Sequence, residues 1–394
     1  MNWNRRRLLA GLATGTTAGV AGCGYAPGGG DVRGEASLLT GIGGPGGSNR
    51  FDVAGNWVAA ARSGQQWVGE FGDRSFDTAT TVRISDRDGN EIGEFVHLEP
   101  SRDLALGERL YLLDEANRLV ATDPIYDGED GEDSEDGEAN EVGDNTDGIE
   151  AAWRVELDEP DAPIAARDGT AYVPDGNRLL AVREGTVVWE RDVAEPVETL
   201  RVGDGIVLAS TESAALALDA DGETIWEFDI DGPATFATTG EQTAEGMTVV
   251  RARGRLFDDQ DDLAVVDTLN GEVHWSTSVR GGSARPAIAD GGVHVVTHGT
   301  VTAYDLEDGV RRWESGDVGA TAPIVAGPAG VYSLGDNCEA IGADADGRRW
   351  SHTLDRRNCA VVDGWIDGET VAFLLEAGGI VWFQRVDEEP GLLF

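Results

Sequence analysis

The stretch Ala217-Leu-Asp-Ala-Asp-Gly-Glu-Thr-Ile-Trp226 decides the fold of this chain. It predicts a strand that ends at Leu218, a tight turn that closes at Gly222, and a second strand that carries Trp226. Glycine suits such a turn because it adopts positive φ without a steric penalty. The same pattern recurs as A-V-R-E-G-T-V-V-W (181–189), V-V-D-T-L-N-G-E-V-H-W (265–275), A-Y-D-L-E-D-G-V-R-R-W (303–313) and G-A-D-A-D-G-R-R-W (342–350).

Tryptophan recurs at the end of this pattern with a nearly constant spacing. The separations are 36, 37, 49, 38 and 37 residues, and a period near 37 indicates a repeat architecture. Short β-rich runs lie between Gly, Asp and Asn turns inside each period, and no stretch of 51–394 sustains a helical period. One period with four short strands is typical of a β-propeller blade. The six tryptophans are Trp153, Trp189, Trp226, Trp275, Trp313 and Trp350.

The pattern A-x-D-x-x-x-G-x-x-x-W resembles the tryptophan-docking repeat of PQQ-like quinoprotein propellers and of the related BamB-type lipoprotein propellers. The resemblance covers residues 100–355 well and the ends of the chain weakly. It implies that each tryptophan packs between neighbouring blades in a structural role, and it does not imply a cofactor. A β-solenoid would show shorter coils, and a WD40 propeller would show Gly-His and Trp-Asp signatures that this sequence lacks.

Eight sets of strands can be counted along the chain, so we expect an all-β fold: a single propeller of four-stranded blades. Gly93 stands where the first set should carry its tryptophan, and seven blades is the alternative if that set is degenerate. The last set lacks one outer strand. The apolar stretch A-S-L-L-T (36–40) is expected to supply it, so that the two chain ends close the ring.

The first 23 residues have the layout of an export signal. Arg5 and Arg6 resemble the twin-arginine motif, and the V-A-G-C sequence that ends at Cys23 resembles a lipobox. An anchor helix with an incidental cysteine is the alternative. We expect export by the twin-arginine route and a lipid on Cys23 that holds the protein on the outer face of the cell membrane. Residues 24–50 are rich in glycine and predict a flexible tether, followed by the propeller domain over 51–394.

The composition is strongly acidic, with a formal net charge of −43, 73 Asp and Glu, and no lysine. Nucleic acid is not an expected partner, because phosphate binding needs a basic surface. The acidity is spread along the chain, which favours adaptation to very high salt over an acidic tail. At about 1 M salt the Debye length falls to about 3 Å, so carboxylates repel one another little.

Two further features are candidate sites, an acidic insert and a pair of cysteines. Residues 126–150 form an acidic insert that fails the EF-hand spacing, and we expect a disordered, solvated loop that holds no metal. Cys338 and Cys359 lie in neighbouring blades, where an exported protein can form a disulfide. Two buried free thiols are the alternative for this pair.

No catalytic constellation stands out, so the leading hypothesis is a non-catalytic, membrane-anchored scaffold that binds an unidentified extracytoplasmic protein. We expect a monomer without catalytic, cofactor-binding or metal-binding residues. The resemblance also allows a small PQQ-dependent dehydrogenase with a calcium-bound quinone, although no two cysteines are adjacent as in many such enzymes. A carbohydrate or small-ligand binding protein is the third hypothesis.

Overall fold

All of the secondary structure in the described part of the chain consists of β-strands and turns. The computed structural model describes residues 30–39, 48–68, 75–123, 151–203, 205–238, 246–256, 261–279, 284–321, 323–356 and 358–385. Their thirty-two strands form eight antiparallel sheets of four strands each. None of the described residues lies in a helix of the length and apolarity needed to cross a membrane. The all-β prediction and the prediction of eight blades are both confirmed.

The first four blades follow the chain from residue 48 to residue 229. Blade 1 contains β2 (Ser48–Ala54), β3 (Trp57–Val68), β4 (Ser75–Asp86) and β5 (Glu91–His97). Blade 2 contains β6 (Ser101–Leu106), β7 (Leu110–Asp114), β8 (Arg118–Ala121) and β9 (Trp153–Glu156). Blade 3 contains β10 (Ala165–Arg167), β11 (Thr170–Asp175), β12 (Arg178–Arg183) and β13 (Thr186–Asp192). Blade 4 contains β14 (Thr199–Gly203), β15 (Ile206–Ser210), β16 (Ala214–Leu218) and β17 (Thr224–Asp229).

The remaining four blades complete the ring. Blade 5 contains β18 (Ala234–Thr238), β19 (Met247–Leu256), β20 (Asp261–Asp267) and β21 (Val273–Thr277). Blade 6 contains β22 (Ala287–Ala289), β23 (Gly292–Thr297), β24 (Gly299–Asp305) and β25 (Arg311–Ala320). Blade 7 contains β26 (Ile324–Gly327), β27 (Gly330–Leu334), β28 (Glu339–Asp344) and β29 (Gly347–Thr353). Blade 8 contains β30 (Val361–Asp367), β31 (Thr370–Leu375), β32 (Gly379–Gln384) and β1 (Val32–Ser37).

Burial within a blade follows the position of the strand. The second strands, such as β7 and β15, are buried along their whole length, because a neighbouring blade covers each face. The outer strands, such as β9, alternate between half-buried and exposed residues. These burial patterns explain why the apolar runs along the chain are short and evenly spaced.

The hydrophobic core is divided among the seams between blades. Eight apolar clusters occur in the described part of the chain, and each joins residues of two adjacent blades. One of them joins blade 8 to blade 1 through Leu374 and Trp382 on one side and Val58 and Ala60 on the other. The ring is therefore closed by packing of the same kind at every seam.

Blade 8 is completed by β1, which pairs antiparallel with β32. Closure by the two chain ends is thus confirmed, but the closing strand is Val32–Ser37 and not residues 36–40 as the sequence predicted. Leu38 and Leu39 form a turn after β1, and their side chains are buried in the cluster between blades 8 and 1. The apolar stretch therefore begins as the last two residues of β1, Ala36 and Ser37, and continues into the buried turn of Leu38 and Leu39. The segment 24–50, predicted as a tether, contains this strand and the start of β2.

Candidate functional site

The repeated tryptophans lie at the seams between blades. Each indole of Trp189, Trp226 and Trp275 donates a hydrogen bond from Nε1 to a carbonyl oxygen in the next blade. The Nε1···O distances are 2.9 Å to Ala220, 3.1 Å to Thr268 and 2.8 Å to Leu306. All three acceptors lie in the turn before an outer strand. These rings are thus occupied by contacts within the fold.

The turn glycine provides the room that each ring needs. Gly222 has φ +83°, and a Cβ built there would lie 2.7 Å from Cδ2 of Trp189. Three other seams are built in the same way, with a ring against a glycine of positive φ: Trp153 on Gly185, Trp226 on Gly271 and Trp275 on Gly309. The recurrence of glycine and tryptophan in the sequence therefore reflects one contact made between adjacent blades.

The remaining seams depart from this pattern. The turn of blade 7 is one residue shorter, since Gly347 precedes Trp350 by three residues, and Gly347 does not contact Trp313. Trp350 packs on Gly30, which precedes β1 and therefore comes from the other end of the chain. In blade 8, Trp382 on β32 pairs with Gly34 on β1, and its ring reaches Gly89 in blade 1. At the seam between blades 8 and 1, the tryptophan therefore comes from β32, the strand next to the outer strand β1.

Gly93 lies opposite Ile84 in blade 1, so this blade lacks a tryptophan at the seam with blade 2. The turn that would receive such a ring belongs to the connection between β8 and β9, where the acidic insert of 126–150 lies. The insert itself lies outside the described residues. So do Arg5, Arg6 and Cys23, which the sequence assigned to export and lipidation.

Cys338 and Cys359 form a disulfide with a Cα–Cα distance of 5.0 Å. Cys338 lies in the turn between β27 and β28, and Cys359 lies just before β30. Both side chains are buried in the cluster that joins blades 7 and 8. The bridge therefore fastens the blade that contains both chain ends to the blade before it.

The inner strands surround an axial channel with two adjoining cavities. The larger has a volume of about 600 Å³ and is lined from blades 1 to 5, and the smaller has a volume of about 220 Å³ and is lined from blades 4 to 8. Arg201 and Thr238 line both cavities. The two cavities together form a concave surface enclosed by the inner strands, which makes the channel a candidate place for a ligand.

Two carboxylates of the channel accept backbone hydrogen bonds across seams. Asp52 accepts from the N–H groups of Val53 and of Leu106 in the next blade, at 2.9 and 2.6 Å. Asp103 accepts from the N–H group of Ile164 at 2.9 Å. Burial raises the pKa of Asp52 to about 6, and the nearby Asp103 adds to this effect while the backbone donors oppose it. The hydrogen bonds of Asp52 therefore link blade 1 to blade 2, and that of Asp103 links blade 2 to blade 3.

Arg201 and Arg285 line the smaller cavity, and Arg201 and Arg167 line the larger one. The Arg201 side chain is exposed to solvent, but the channel walls surround it, and this desolvation lowers the pKa of its guanidinium to about 10. The charge of Arg285 acts in the same direction, and those of Asp363 and Asp52 oppose it. Arg285 Nη1 lies 4.0 Å from Oδ1 of Asp363. The channel thus places two guanidinium groups near each other.

The calcium of a calcium-bound quinone, which the sequence resemblance allows, needs six to eight oxygen ligands. The described residues contain no group of three or more His, Cys, Asp or Glu side chains placed to hold a metal ion. The described side chains therefore do not make up such a ligand set.

The sequence contains a signal for two of the channel residues, although it was not recognised. Asp52 and Arg201 each lie two residues before the end of an inner strand. The residues at this position in the other six blades are apolar. Aligning the inner strands of the eight blades would have revealed these two charges as exceptions, whereas Arg285 and Asp363 occupy a position that is charged in half of the blades.

Comparison with known proteins gives a consistent result. The family model described as "Outer membrane protein assembly factor BamB" matches residues 135–256 and 211–382, which together span more than half of the chain. A protein of that name from Yersinia pestis is 26% identical over 194 residues, which cover 48% of this chain and 43% of the relative. The alignment thus spans less than half the length of that relative.

Solved structures show the same fold at low sequence identity. BamB from Moraxella catarrhalis matches with a TM-score of 0.55 and 14% identity over 80% of this chain and 95% of that one. The computationally designed protein Ika8 matches with a TM-score of 0.58 and 11% identity over 89% and 98% of the two chains. Sqt1 of Saccharomyces cerevisiae matches with a TM-score of 0.55 and 10% identity over 86% and 95%. With the seam contacts and the family match taken together, the chain belongs to the PQQ-like propeller family of the outer membrane protein assembly factor BamB.

Proposed function

We propose that this protein is a non-catalytic scaffold that binds another protein outside the cytoplasm and assists its assembly. The observation that carries the proposal is the match over 135–382 to a family described as an assembly factor. The geometry supports it, because the tryptophans that recur in six of the eight blades lie at the seams and hold blades together. Binding should therefore use surfaces on which the blades differ.

One such surface lies on the rim around β21, the outer strand of blade 5, with Leu269 in the turn before it. Leu269, Val273 and Val310 are 64%, 40% and 61% exposed. Trp275, two residues after Val273, packs on Gly309, which places Val273 and Val310 at the same seam. Exposed apolar side chains grouped on a strongly acidic surface favour contact with a protein partner. We propose that the partner contacts this rim.

Capture from membranes tests the scaffold. The full-length protein is cross-linked in its host membranes at molar salt, and its partners are identified by mass spectrometry. L269S/V310S should lose a specific partner that wild type retains. The matched control V187S/V188S, which changes two exposed valines on β13, should keep it. Equal capture by both double variants would contradict the rim as the contact, and reduction of a dye after addition of PQQ and Ca²⁺ would contradict a non-catalytic role.

We further propose that Cys23 carries a lipid after twin-arginine export and that this lipid holds the propeller on the outer face of the cell membrane. The basis is the order of Arg5, Arg6 and the V-A-G-C sequence in the leader. We do not extend to this protein the outer-membrane role that the names of its relatives describe. Mass spectrometry of the membrane form should show a lipidated peptide that begins at Cys23, and C23A should move the protein into the medium. An unmodified, membrane-bound C23A variant would argue for an anchor helix.

A further inference from the structure

Two arginines of the axial channel lack the partners that a strongly acidic protein could easily provide. The chain has 73 Asp and Glu against 30 Lys and Arg. Among the described residues, no hydrogen bond or ion pair reaches Arg201, and the ion pair of Arg285 with Asp363 is long at 4.0 Å. The Asp52 and Asp103 carboxylates nearby accept backbone N–H groups instead. Inside the channel, Arg201 thus has an unpaired guanidinium and Arg285 a weakly paired one, which indicates a place for an anion.

The smaller cavity fits such an anion in size and in chemistry. It has a volume of about 220 Å³, and both arginines line it together with the Thr238 side chain. The rest of its wall is largely apolar and includes Phe236, Ile288 and Val325. Arg201 and Thr238 also line the larger cavity, so the smaller one opens into it.

We propose that Arg201 and Arg285 bind a small organic carboxylate in this cavity. The planar guanidinium fork matches the two oxygens of a carboxylate, which a spherical halide ion cannot do. The volume of about 220 Å³ leaves room for a short carbon skeleton beside the half-buried Ile288, so an organic carboxylate is the ligand class that we test first. A bound carboxylate also reduces the repulsion between the two guanidinium groups, which adds to the affinity of the site for the carboxylate. The site lies on the propeller axis, away from the rim proposed for the protein partner, so either can exist without the other.

Calorimetric titration of the full-length protein with succinate tests the site at a fixed molar concentration of NaCl. Wild type should bind succinate saturably, and its melting temperature should rise with succinate concentration. R201Q should raise the Kd at least about tenfold, because it removes a charge-assisted hydrogen bond. R285Q should act in the same direction. R311Q is the matched control, because Arg311 is an exposed arginine paired with Glu314, and its Kd should equal that of wild type.

The unliganded variants separate ligand binding from a structural role. Arg201 has no hydrogen-bond partner among the described residues, so R201Q without succinate should melt no lower than wild type. A clear loss of stability in unliganded R201Q would assign the arginine to the fold and overturn the proposal. Absence of saturable succinate binding by wild type, or an unchanged Kd in R201Q, would also overturn it. Tighter binding of phosphate than of succinate would refute the choice of an organic carboxylate.

Discussion

The contact between Gly222 and Trp189 gives a quantitative test of how the blades are held together. G222A places a methyl group 2.7 Å from Cδ2 of Trp189, at a backbone φ of +83°. A left-handed conformation costs an alanine about 1–2 kcal/mol. Overpacking of a filled site costs about 1–3 kcal/mol more. The free energy of unfolding should therefore fall by about 2–5 kcal/mol.

Blade 4 offers a matched control for this change. Gly205 also has a positive φ, at +77°, but no described atom lies within 4 Å of the position its Cβ would take. G205A should therefore lower the free energy of unfolding only by the cost of a left-handed backbone conformation, about 1–2 kcal/mol. The difference between the two variants isolates the contact with the tryptophan ring.

A double-mutant cycle completes the test. In a W189A background the methyl group of G222A meets no ring, so its cost should fall to that of G205A, with a coupling energy of about 1–3 kcal/mol. Unfolding is followed in urea at one fixed molar salt concentration for all four proteins. Equal costs for G222A and G205A, or a coupling energy near zero, would refute tryptophan docking as the source of seam stability.

Three further predictions concern charge and covalent structure. The melting temperature should fall steeply when salt is diluted from molar to millimolar concentration, since 73 acidic residues repel one another once screening is lost, and an unchanged value would contradict adaptation to high salt. The pKa of Asp52 is raised from its ordinary value of 3.8 to about 6 in the folded state. The contribution of Asp52 to the free energy of unfolding is therefore complete below pH 3.8, and it is lost as the pH rises through 6. D52N keeps an acceptor oxygen for the N–H group of Leu106, so its stability relative to wild type should rise between pH 4 and pH 7, and a constant difference across that range would contradict the assignment. C338S/C359S should lower the free energy of unfolding by about 3 kcal/mol, as expected for a closed loop of 21 residues, and wild type with reductant should match it.

The sequence predicted the fold because the seam contact repeats. Glycine and tryptophan recur together in most blades, and one local pattern therefore reported a contact between parts of the chain about 37 residues apart. The boundaries of the closing strand could not be predicted in this way. β1 has the sequence V-R-G-E-A-S, in which Gly34 replaces the tryptophan and charged residues face outward. Its partner β32 lies at the other end of the chain, and no local pattern reports that pairing.

The channel could not be predicted because a ligand site on a repeat protein depends on what does not repeat. Asp52 and Arg201 occupy one register position in blades that are not adjacent in sequence, and each alone resembles an ordinary surface charge. The burial and raised pKa of Asp52, and the enclosure of Arg201 by the channel walls, arise only when the ring closes. The acidic insert is conspicuous in the sequence but lies outside the described residues, so the interpretation of it as a disordered loop stays a prediction.

Closure of the ring by β1 also sets how the protein would stand on a membrane. Val32 lies nine residues after Cys23, and even a fully extended chain of that length reaches only about 30 Å. A lipid on Cys23 would therefore hold the edge of blade 8 against the bilayer and turn blade 4, on the opposite side of the ring, away from it. A partner embedded in the same membrane would be met most easily by the blades nearest blade 8. A lipid at this position would thus determine which side of an almost symmetric ring is presented to which neighbour.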